Sequence, residues 1–443
     1  MAKNFLGGWL QQVTTNKAET KISSQPLPHQ LNKQVQAVAK STEENQQEVS
    51  DALLSNATYA PQEKFSINVT KKLSPEVAIL HIYAFGSDKY RVLAEIDGKS
   101  LHTQPEEQPN ISLGKLVQDR ERLAEIAGII GFCSFRKPQI RQLLDWLIDL
   151  RKKLEHTGQH LYLLIADHTD FEIPWEMLKL SENEHLGTAI TTARWQYICS
   201  DEKAEGRENL LLDVKPDACQ GSIMSYVNRK LKAEAIDLEL NILNKLNAQD
   251  YRDIKIFLET LKQNQYDLAL IFIACHGDFG NDVFDMALKE DDKTRLLGLM
   301  QLYNWKLNLL KKSQSIVFIN ACHSGRLRKD DKYIRRQDYR TGFATYFLEQ
   351  GAKGVIGTLG EVDNMCAAKI ARNLIEQCHD EKCNNNLSVA ELLQRIRAQA
   401  VQRVNSEDTP EAWKAFIYTF MYVYYGNPMT VLRLSPLGGQ LNV

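Results

Sequence analysis

Two apolar segments of this chain end in residues that can do nucleophilic chemistry. The first segment, residues 268–277, reads LALIFIACHG, and the second, residues 316–325, reads IVFINACHSG. A cysteine attacks a carbonyl carbon as the thiolate, and a nearby histidine can take the thiol proton and later give one to the leaving amine. His276 and Cys322 are therefore a candidate base and a candidate nucleophile.

These residues need a scaffold that brings the ends of the two segments together. Short apolar runs bounded by polar or glycine residues are typical of buried strands in a parallel sheet. Catalytic groups in open α/β sheets gather at the carboxyl ends of the strands, so both segments should deliver their polar residues to one edge. We expect a hairpin of Val77–Phe85 and Tyr90–Ile96, strands at Leu161–Ala166 and Leu210–Val214, and helices at Ile140–Leu154 and Lys232–Leu246.

The residues alone permit two pairings. Adjacent residues on a strand point to opposite faces, so either His276 with Cys322 or His323 with Cys275 could converge. Gly277 follows the first histidine, and without a side chain its backbone N–H can face a substrate oxygen. The N–H of Cys322 could supply a second donor to the same oxyanion.

Three further motifs accompany the two segments. They are FEIPWEML at 171–178, FLEQGAKGVIGTL at 347–359 followed by EVD at 361–363, and YGNP at 425–428. Taken together, residues 65–432 resemble the CHAT family of caspase-like cysteine proteases. The resemblance implies a caspase-like α/β fold, with helices on both faces of a mostly parallel sheet, preceded by a degenerate α/β half. It also selects the pair of His276 and Cys322.

The resemblance further suggests where the residue before the cut would bind. Relatives in the CHAT and separase branch carry an acidic group after the Gly-Thr-Leu strand, a place taken here by Asp363 with Glu361 nearby. Metacaspase-like relatives carry Asp two positions before the nucleophile, where this chain has Asn320. We expect a basic or long side chain before the cut. The alternative is that Asp363 only caps the following helix, since Asp is a favoured N-cap.

Composition divides the chain into four parts. Residues 1–62 are polar and suggest a disordered or regulatory segment, residues 65–215 form the front half, residues 220–432 form the catalytic half, and residues 433–443 form a tail. The charged residues 326–340 and the residues 279–298 are expected to be loops at the catalytic edge. The loop at 326–340 and the polar N-terminus are candidates for a switch that keeps the enzyme inactive at rest.

Bulk properties argue against several other classes. The net charge of −2 is mixed along the chain, which does not favour a nucleic-acid binder. No apolar run is long enough to cross a bilayer, and the start lacks the features of a signal peptide. Eight cysteines are scattered without disulfide or zinc spacing, which indicates a reduced, cytoplasmic protein. We expect no metal and no cofactor.

The sequence thus predicts a cysteine endopeptidase that cuts a specific protein partner and that a protein or ligand activates. The resemblance implies a role in bacterial defence or regulated cell death, with gasdermin-like or CRISPR-linked proteins as kinds of target. One alternative is a catalytically silent CHAT scaffold. Another is a phosphatase, since Cys322 and Arg328 satisfy Cys-x5-Arg, although Ala321 and Lys329 depart from that pattern.

Overall fold

The computed structural model describes most of the compact unit Ile67–Val443. The described residues are 67, 69, 72–107, 138–169, 173–181, 184–198, 210–263, 267–280, 282–329, 340–379, 387–407 and 409–435. The expectations for residues 1–62 therefore lie outside the described part, as do those for most of the 326–340 segment and for the end of the tail.

The strands fall into two groups along the chain. The front strands are β1 (Val77–Phe85), β2 (Lys89–Ile96), β3 (Lys99–His102), β4 (Glu106–Glu107), β5 (Tyr162–Asp167) and β6 (Thr191–Arg194). The later strands are β7 (Asp217–Val227), β8 (Gln249–Tyr251), β9 (Leu268–Ala274), β10 (His276–Asp278), β11 (Ala287–Lys289), β12 (Arg295–Gly298), β13 (Ile316–Asn320), β14 (Arg328–Lys329), β15 (Arg340–Thr341), β16 (Gly354–Thr358), β17 (Tyr422–Gly426) and β18 (Thr430–Leu434).

The helices lie between these strands. They are α1 (Pro138–His156), α2 (Leu186–Ala189), α3 (Ala233–Lys245), α4 (Ile254–Leu261), α5 (Leu299–Leu302), α6 (Asn308–Ser313), α7 (Phe343–Glu349), α8 (Asn364–His379), α9 (Val389–Glu407) and α10 (Pro410–Met421). Two 3-10 turns, Trp175–Met177 and Val283–Asp285, complete the described elements.

One large sheet contains strands both from residues 65–215 and from residues 220–435. Its strand order is β18-β7-β9-β13-β16-β17-β6-β5-β1-β2-β3. Neighbours are parallel from β18 to β16 and from β17 to β1, whereas β16 and β17 are antiparallel and β2 and β3 continue as an antiparallel edge. The predicted α/β fold with a mostly parallel sheet flanked by helices is confirmed.

The centre of this sheet is buried on both faces, as the apolar runs of the sequence require. Every residue of β9 and of β13 is buried. Helices α3 and α8 pack against one another near the carboxyl ends of these strands. The predicted hairpin of β1 and β2 and the predicted helices α1 and α3 are also present.

Two expectations about local structure were wrong. Residues 210–214 are not a strand, because within them only Leu212 forms a bridge, with Val69, and Leu211 is exposed. Residues 279–298 are not simply a loop, because β11 pairs with both β10 and β12 in a three-stranded antiparallel sheet. Short alternating stretches such as these depend on their tertiary partners, which their own sequence does not identify.

Candidate active site

Two neighbouring parallel strands bring the sequence-predicted pair together. Strand β9 lies beside β13 in a register that places Ala274 opposite Asn320. The chain then continues to His276 on one side and to Cys322 on the other, each two residues beyond that paired position. Both side chains are half-buried and line the same cavity.

The cavity is bounded by α3, by the ends of the central strands and by the start of α8. Its lining residues are Leu231, Ala235, Glu239, Cys275, His276, Asn320, Ala321, Cys322, Thr358, Val362, Asn364, Ala367 and Tyr422. Leu231 lies just before α3, and Ala235 and Glu239 follow on α3 at intervals of four positions, so this segment supplies one wall of the cavity. The thiol and the imidazole therefore share a cleft with a mainly apolar wall.

Gly277 lies directly against the backbone of the candidate nucleophile. A Cβ atom built at Gly277 would come within 2.0 Å of the carbonyl oxygen of Cys322. Non-bonded carbon and oxygen atoms cannot approach so closely, so the two chain segments can be this close only with glycine at position 277. The two backbone N–H groups suggested for the oxyanion thus belong to adjacent segments, and their joint role stays a prediction.

The Ser-Gly sequence after the nucleophile is explained by the packing of its turn. Ser324 Oγ donates to Ile319 O at 2.8 Å and accepts from Thr358 N at 3.1 Å. A Cβ at Gly357 would lie 2.7 Å from the backbone nitrogen of Gly325, so the backbones meet there without side chains. This contact fixes the turn that presents Cys322 at the cavity.

The Cys322 thiol is held in its neutral form. Burial raises the pKa of the thiol, and the charges of Glu361 and Asp363 act in the same direction. The Val362 N–H donates to Sγ at 3.4 Å and opposes this rise in pKa, while Sγ also lies 3.7 Å from the Val362 carbonyl oxygen. At rest the sulfur is therefore a protonated thiol, tethered to the chain that precedes α8.

His276 is correspondingly an unprotonated imidazole. Burial lowers the pKa of His276, and the charge of Lys289 lowers it further, whereas Asp291 and Asp292 partly oppose the shift. Lys289 stands opposite His276 in the β10–β11 pairing. A neutral imidazole is the form that can accept a proton from a thiol.

The alternative pair of Cys275 and His323 is separated by the fold. Cys275 is fully buried, and burial raises the pKa of its thiol far above the ordinary value. His323 adopts a left-handed backbone conformation, with φ of 60°, and its Nδ1 lies 3.2 Å from a guanidinium nitrogen of Arg326. Its ring lies near Phe279, and His323 is not among the lining residues of the cavity.

The residues expected to bind substrate occupy different places. Asp363 Oδ1 accepts from Met365 N at 2.9 Å and from Cys366 N at 3.2 Å, which is an N-cap of α8, and its Oδ2 lies 3.5 Å from Lys232 Nζ. Residues on either side of Asp363 line the cavity, but Asp363 does not. Glu361 acts on Cys322 through its charge. Asn320 lines the cavity and is buried.

Sequence reasoning missed the carboxyl group that does line the cavity. Glu239 is 2% exposed and accepts a hydrogen bond from Asn320 Nδ2 at 2.6 Å. Its neighbours on the buried face of α3 are Ala235, Ile242 and Leu243. An acidic residue on the apolar stripe of an amphipathic helix was the signal that could have found it.

The alternative phosphate loop finds no support in the position of its arginine. Arg328 donates to the carbonyl oxygen of Gly280 at 2.9 Å, and its guanidinium lies 4.5 Å from the ring centre of Phe279. Arg328 does not line the cavity that holds Cys322. A guanidinium that must cradle a phosphate beside the sulfur would have to point into that cavity.

The CHAT domain family matches residues 137–421, more than half of the chain, and the chain belongs to this family. No curated protein matches the sequence significantly.

Two solved structures show a distant similarity. One is a chain of the Saccharomyces cerevisiae separase–securin complex, with 11% identity and a TM-score of 0.43, where 80% of this chain and 30% of the other are covered. The other is the Porphyromonas gingivalis RgpB pro- and mature-domain complex, with 13% identity, a TM-score of 0.38 and coverage of 68% and 70%. This chain thus spans less than a third of the separase structure that it matches.

Two further features are missing from the described residues. None of the helices in that part of the chain is both long and apolar enough to cross a membrane. The same residues contain no cluster of three or more His, Cys, Asp or Glu side chains arranged to hold a metal ion.

Proposed function

We propose that this protein is a cysteine endopeptidase in which Cys322 is the nucleophile and His276 is the general base. The observation that carries the proposal is the convergence of both side chains on one cavity, with Gly277 against the backbone of Cys322. Membership of the CHAT family is consistent with this activity.

In the proposed reaction, His276 removes the thiol proton as Sγ attacks the carbonyl carbon of the peptide bond. The C–N bond then breaks, and the imidazolium gives its proton to the departing amine, which leaves a thioester on Cys322. Water attacks the thioester with His276 again as base, and this releases the acid and restores the thiol. Because the resting pair is neutral, proton transfer coincides with attack rather than preceding it.

The backbone N–H groups of Gly277 and Cys322 are proposed to hold the oxyanion. Negative charge develops on the carbonyl oxygen in each tetrahedral intermediate, and a fixed donor to it contributes about 2.7–4 kcal/mol of transition-state stabilisation. Gly277 suits this role because no side chain stands between its N–H and the substrate.

The substrate is proposed to be a specific protein cut after a basic or long side chain. The carboxyl groups at and around the cavity support a basic preference, and the apolar lining residues Leu231 and Ala235 suit a long side chain. The family resemblance supports a role in bacterial defence or regulated cell death, with an activator that switches the enzyme on. Self-cleavage within residues 326–340 would agree with a basic preference.

A positional-scanning library of fluorogenic peptides tests the proposed activity. Wild type should cleave a subset of the library, and Cys322→Ala and His276→Ala should each reduce the rate to background. The matched control is Cys378→Ala, which removes a half-buried thiol from α8 outside the cavity and should leave cleavage intact. Cleavage that survives in the Cys322→Ala protein would refute the assignment of the nucleophile.

A further inference from the structure

A buried carboxyl group that lacks a second partner faces the cavity of the candidate nucleophile. Glu239 Oε1 accepts from Asn320 Nδ2 at 2.6 Å, and Asn320 Oδ1 in turn accepts from the Tyr422 hydroxyl at 2.6 Å. Glu239 Oε2 is buried and has no hydrogen-bond partner among the described residues. A buried polar atom without a partner is costly, which suggests that a ligand completes this site.

The position of the cavity indicates which part of a substrate would complete it. Cys322 and its neighbour Ala321 form part of the lining, so the cavity begins at the attacking sulfur. The residue before the cut contributes the attacked carbonyl group. One Cα atom joins the side chain of that residue to the carbonyl carbon. This side chain is therefore the part of the substrate that enters a cavity beginning at the thiol.

We propose that Glu239 is the specificity-determining residue of this enzyme and that its Oε2 pairs with the cationic end of an arginine or lysine before the cut. The assignment rests on the proposed endopeptidase function. It differs from the sequence-based assignment to Asp363, because both oxygens of Asp363 are engaged, one with the N-terminus of α8 and one with Lys232.

The Asn320 side chain fixes the orientation of the Glu239 carboxyl group. Tyr422 donates to the amide oxygen of Asn320, so the amide nitrogen must face Glu239 as a donor. The hydrogen bond to Oε1 leaves Oε2 to carry the proton of the neutral acid and, in the carboxylate, to act as the remaining acceptor. A charged donor that enters the cavity satisfies this acceptor, whereas an apolar side chain leaves it unpaired.

The ionisation of Glu239 differs between the empty cavity and a cavity that holds a cation. Burial raises the pKa of Glu239 to about 8, so without a cation the carboxyl group is mostly neutral near pH 7. A guanidinium or ammonium group that enters favours the carboxylate, so its advantage over a neutral side chain of similar shape should grow as the pH rises.

Other titratable groups around Glu239 can be separated from this effect. The Cys275 thiol and the Tyr422 hydroxyl stay neutral because burial raises their pKa values. Arg229 is a nearby cation and is paired with Asp250. His276 and Cys322 also titrate, but they act on every substrate alike and cancel in a ratio of two reagents.

The test compares two peptidyl chloromethyl ketones that differ only in arginine or citrulline at the residue next to the reactive group. Both reagents alkylate the thiol. The ratio of their rates on Cys322 therefore measures how strongly the pocket prefers arginine to citrulline, and it does not require peptide hydrolysis. Wild type should favour arginine by roughly 10–100-fold, the range for a charge-assisted hydrogen bond, and the ratio should rise between about pH 6 and pH 9. Peptide hydrolysis, measured separately, tests the proposed function.

Glu239→Gln should bring the ratio close to one at every pH while citrulline reagent still labels Cys322. Glu234→Gln makes the same change on the exposed face of α3 and should leave the ratio unchanged. A ratio that is unaffected in Glu239→Gln, or one that collapses in Asp363→Asn instead, would overturn the proposal.

A second variant keeps the test decisive if Glu239→Gln does not fold. Ala235→Leu adds bulk to the same wall of the cavity while Glu239 remains intact. It should slow alkylation by the arginine reagent more than alkylation by iodoacetamide, which needs no side-chain pocket. Equal slowing of both reagents would show that the arginine side chain does not enter this cavity.

Discussion

Burial and acidic neighbours both disfavour the thiolate of Cys322, which is unusual for a proposed nucleophile. Burial contributes most to the raised pKa, followed among the groups that raise it by Glu361 and Asp363. A thiol reacts with alkylating agents only in proportion to its thiolate fraction. The raised pKa therefore implies that the resting thiol has low intrinsic reactivity.

We expect Asp363→Asn to increase the rate at which iodoacetamide alkylates Cys322. Removing the negative charge lowers the pKa of the thiol, and Asn preserves the N-cap of α8. An increase of about 2–5-fold near pH 7.5 is the size expected for one partly exposed charge. Peptide mapping by mass spectrometry would measure the rate, and a slower reaction would contradict this view of the site.

Gly277→Ala should abolish activity because the new Cβ cannot fit beside Cys322. The segments must separate, which moves both proposed oxyanion donors and costs about 1–3 kcal/mol of stability. We expect peptide hydrolysis to fall by roughly 100-fold or more, by analogy with the loss of one oxyanion donor.

Gly158→Ala is the matched control for this change. Nothing lies within 4 Å of a Cβ built at Gly158, which is in the turn after α1. Its φ of 72° makes alanine slightly unfavourable there, so stability should fall a little while hydrolysis is retained. Normal hydrolysis in Gly277→Ala would show that the close approach to Cys322 is not needed.

The two chain segments that follow β9 and β13 are joined by stacking beyond His276 and Cys322. The guanidinium of Arg326 lies 3.6 Å from the ring centre of Phe279, and that of Arg328 lies 4.5 Å from it. Phe279 therefore links the segment after the histidine to the segment after the cysteine.

Phe279→Ala should make the segment that contains Arg326 and Arg328 more sensitive to protease. We expect trypsin to cleave after Arg326 and Arg328 several-fold faster in this variant, since each cation–π contact is worth about 0.5–2 kcal/mol. Phe284→Ala removes a more exposed ring from the same region and should change cleavage little. Equal susceptibility of the two variants on a time course would argue against the link.

The front half contributes a buried ion pair to the shared sheet. Glu176 accepts two hydrogen bonds from Arg194, at 2.8 Å and 2.6 Å, and both side chains are buried. Burial favours the neutral carboxyl group, but the ion pair with Arg194 and the charge of Arg397 hold the pKa of Glu176 below its ordinary value.

We expect Glu176→Gln to lower the free energy of unfolding by about 3–5 kcal/mol, because a buried charge loses its partner. The matched control is Glu184→Gln, which disrupts the ion pair of Glu184 with Arg151. The Glu184 side chain is 45% exposed, so this change should lower the free energy of unfolding by less than about 1 kcal/mol. Because folding lowers the pKa of Glu176, this carboxylate stabilises the fold at any pH above its pKa in the unfolded chain. The stabilisation is lost as the pH falls through the lower pKa of the folded state. Urea unfolding at neutral pH measures both variants.

The continuous sheet has a consequence for the whole molecule. Strand β17 of the catalytic half lies between β16 and β6, and β6 belongs to the front half. A fragment of residues 216–435 would expose an edge of β17 and part of the core. We expect this fragment to lack a cooperative thermal transition by circular dichroism, and a cooperative, active fragment would show that the halves fold separately.

The sequence was most informative where one segment determines its own environment. The apolar runs of β9 and β13 indicate strands buried on both faces, so their parallel pairing could be predicted. The choice of His276 with Cys322 over His323 with Cys275 rested on the family resemblance. The Gly277 and Ser-Gly motifs were equally informative, because only small residues allow those backbone contacts.

Other features depend on partners that are distant in the chain. Leu210–Val214 is a short apolar run like a strand, but among the described residues its one bridge is that of Leu212 with Val69. The β10–β12 sheet depends on Lys289 lying opposite His276. Glu239 could not be assigned to the cavity until the packing of α3 against the strand ends was known. Its unusual place on the apolar face of a helix was the only local sign.

The most direct test of the central claim is a rapid-quench search for the acyl-enzyme. Wild type would be mixed with the best library peptide, stopped in acid within the first turnover, digested and mapped by mass spectrometry. The expected result is the acyl mass on the peptide that contains Cys322, and its absence in Cys322→Ala. An acyl group on Cys275, or hydrolysis without any acyl group on cysteine, would contradict the account.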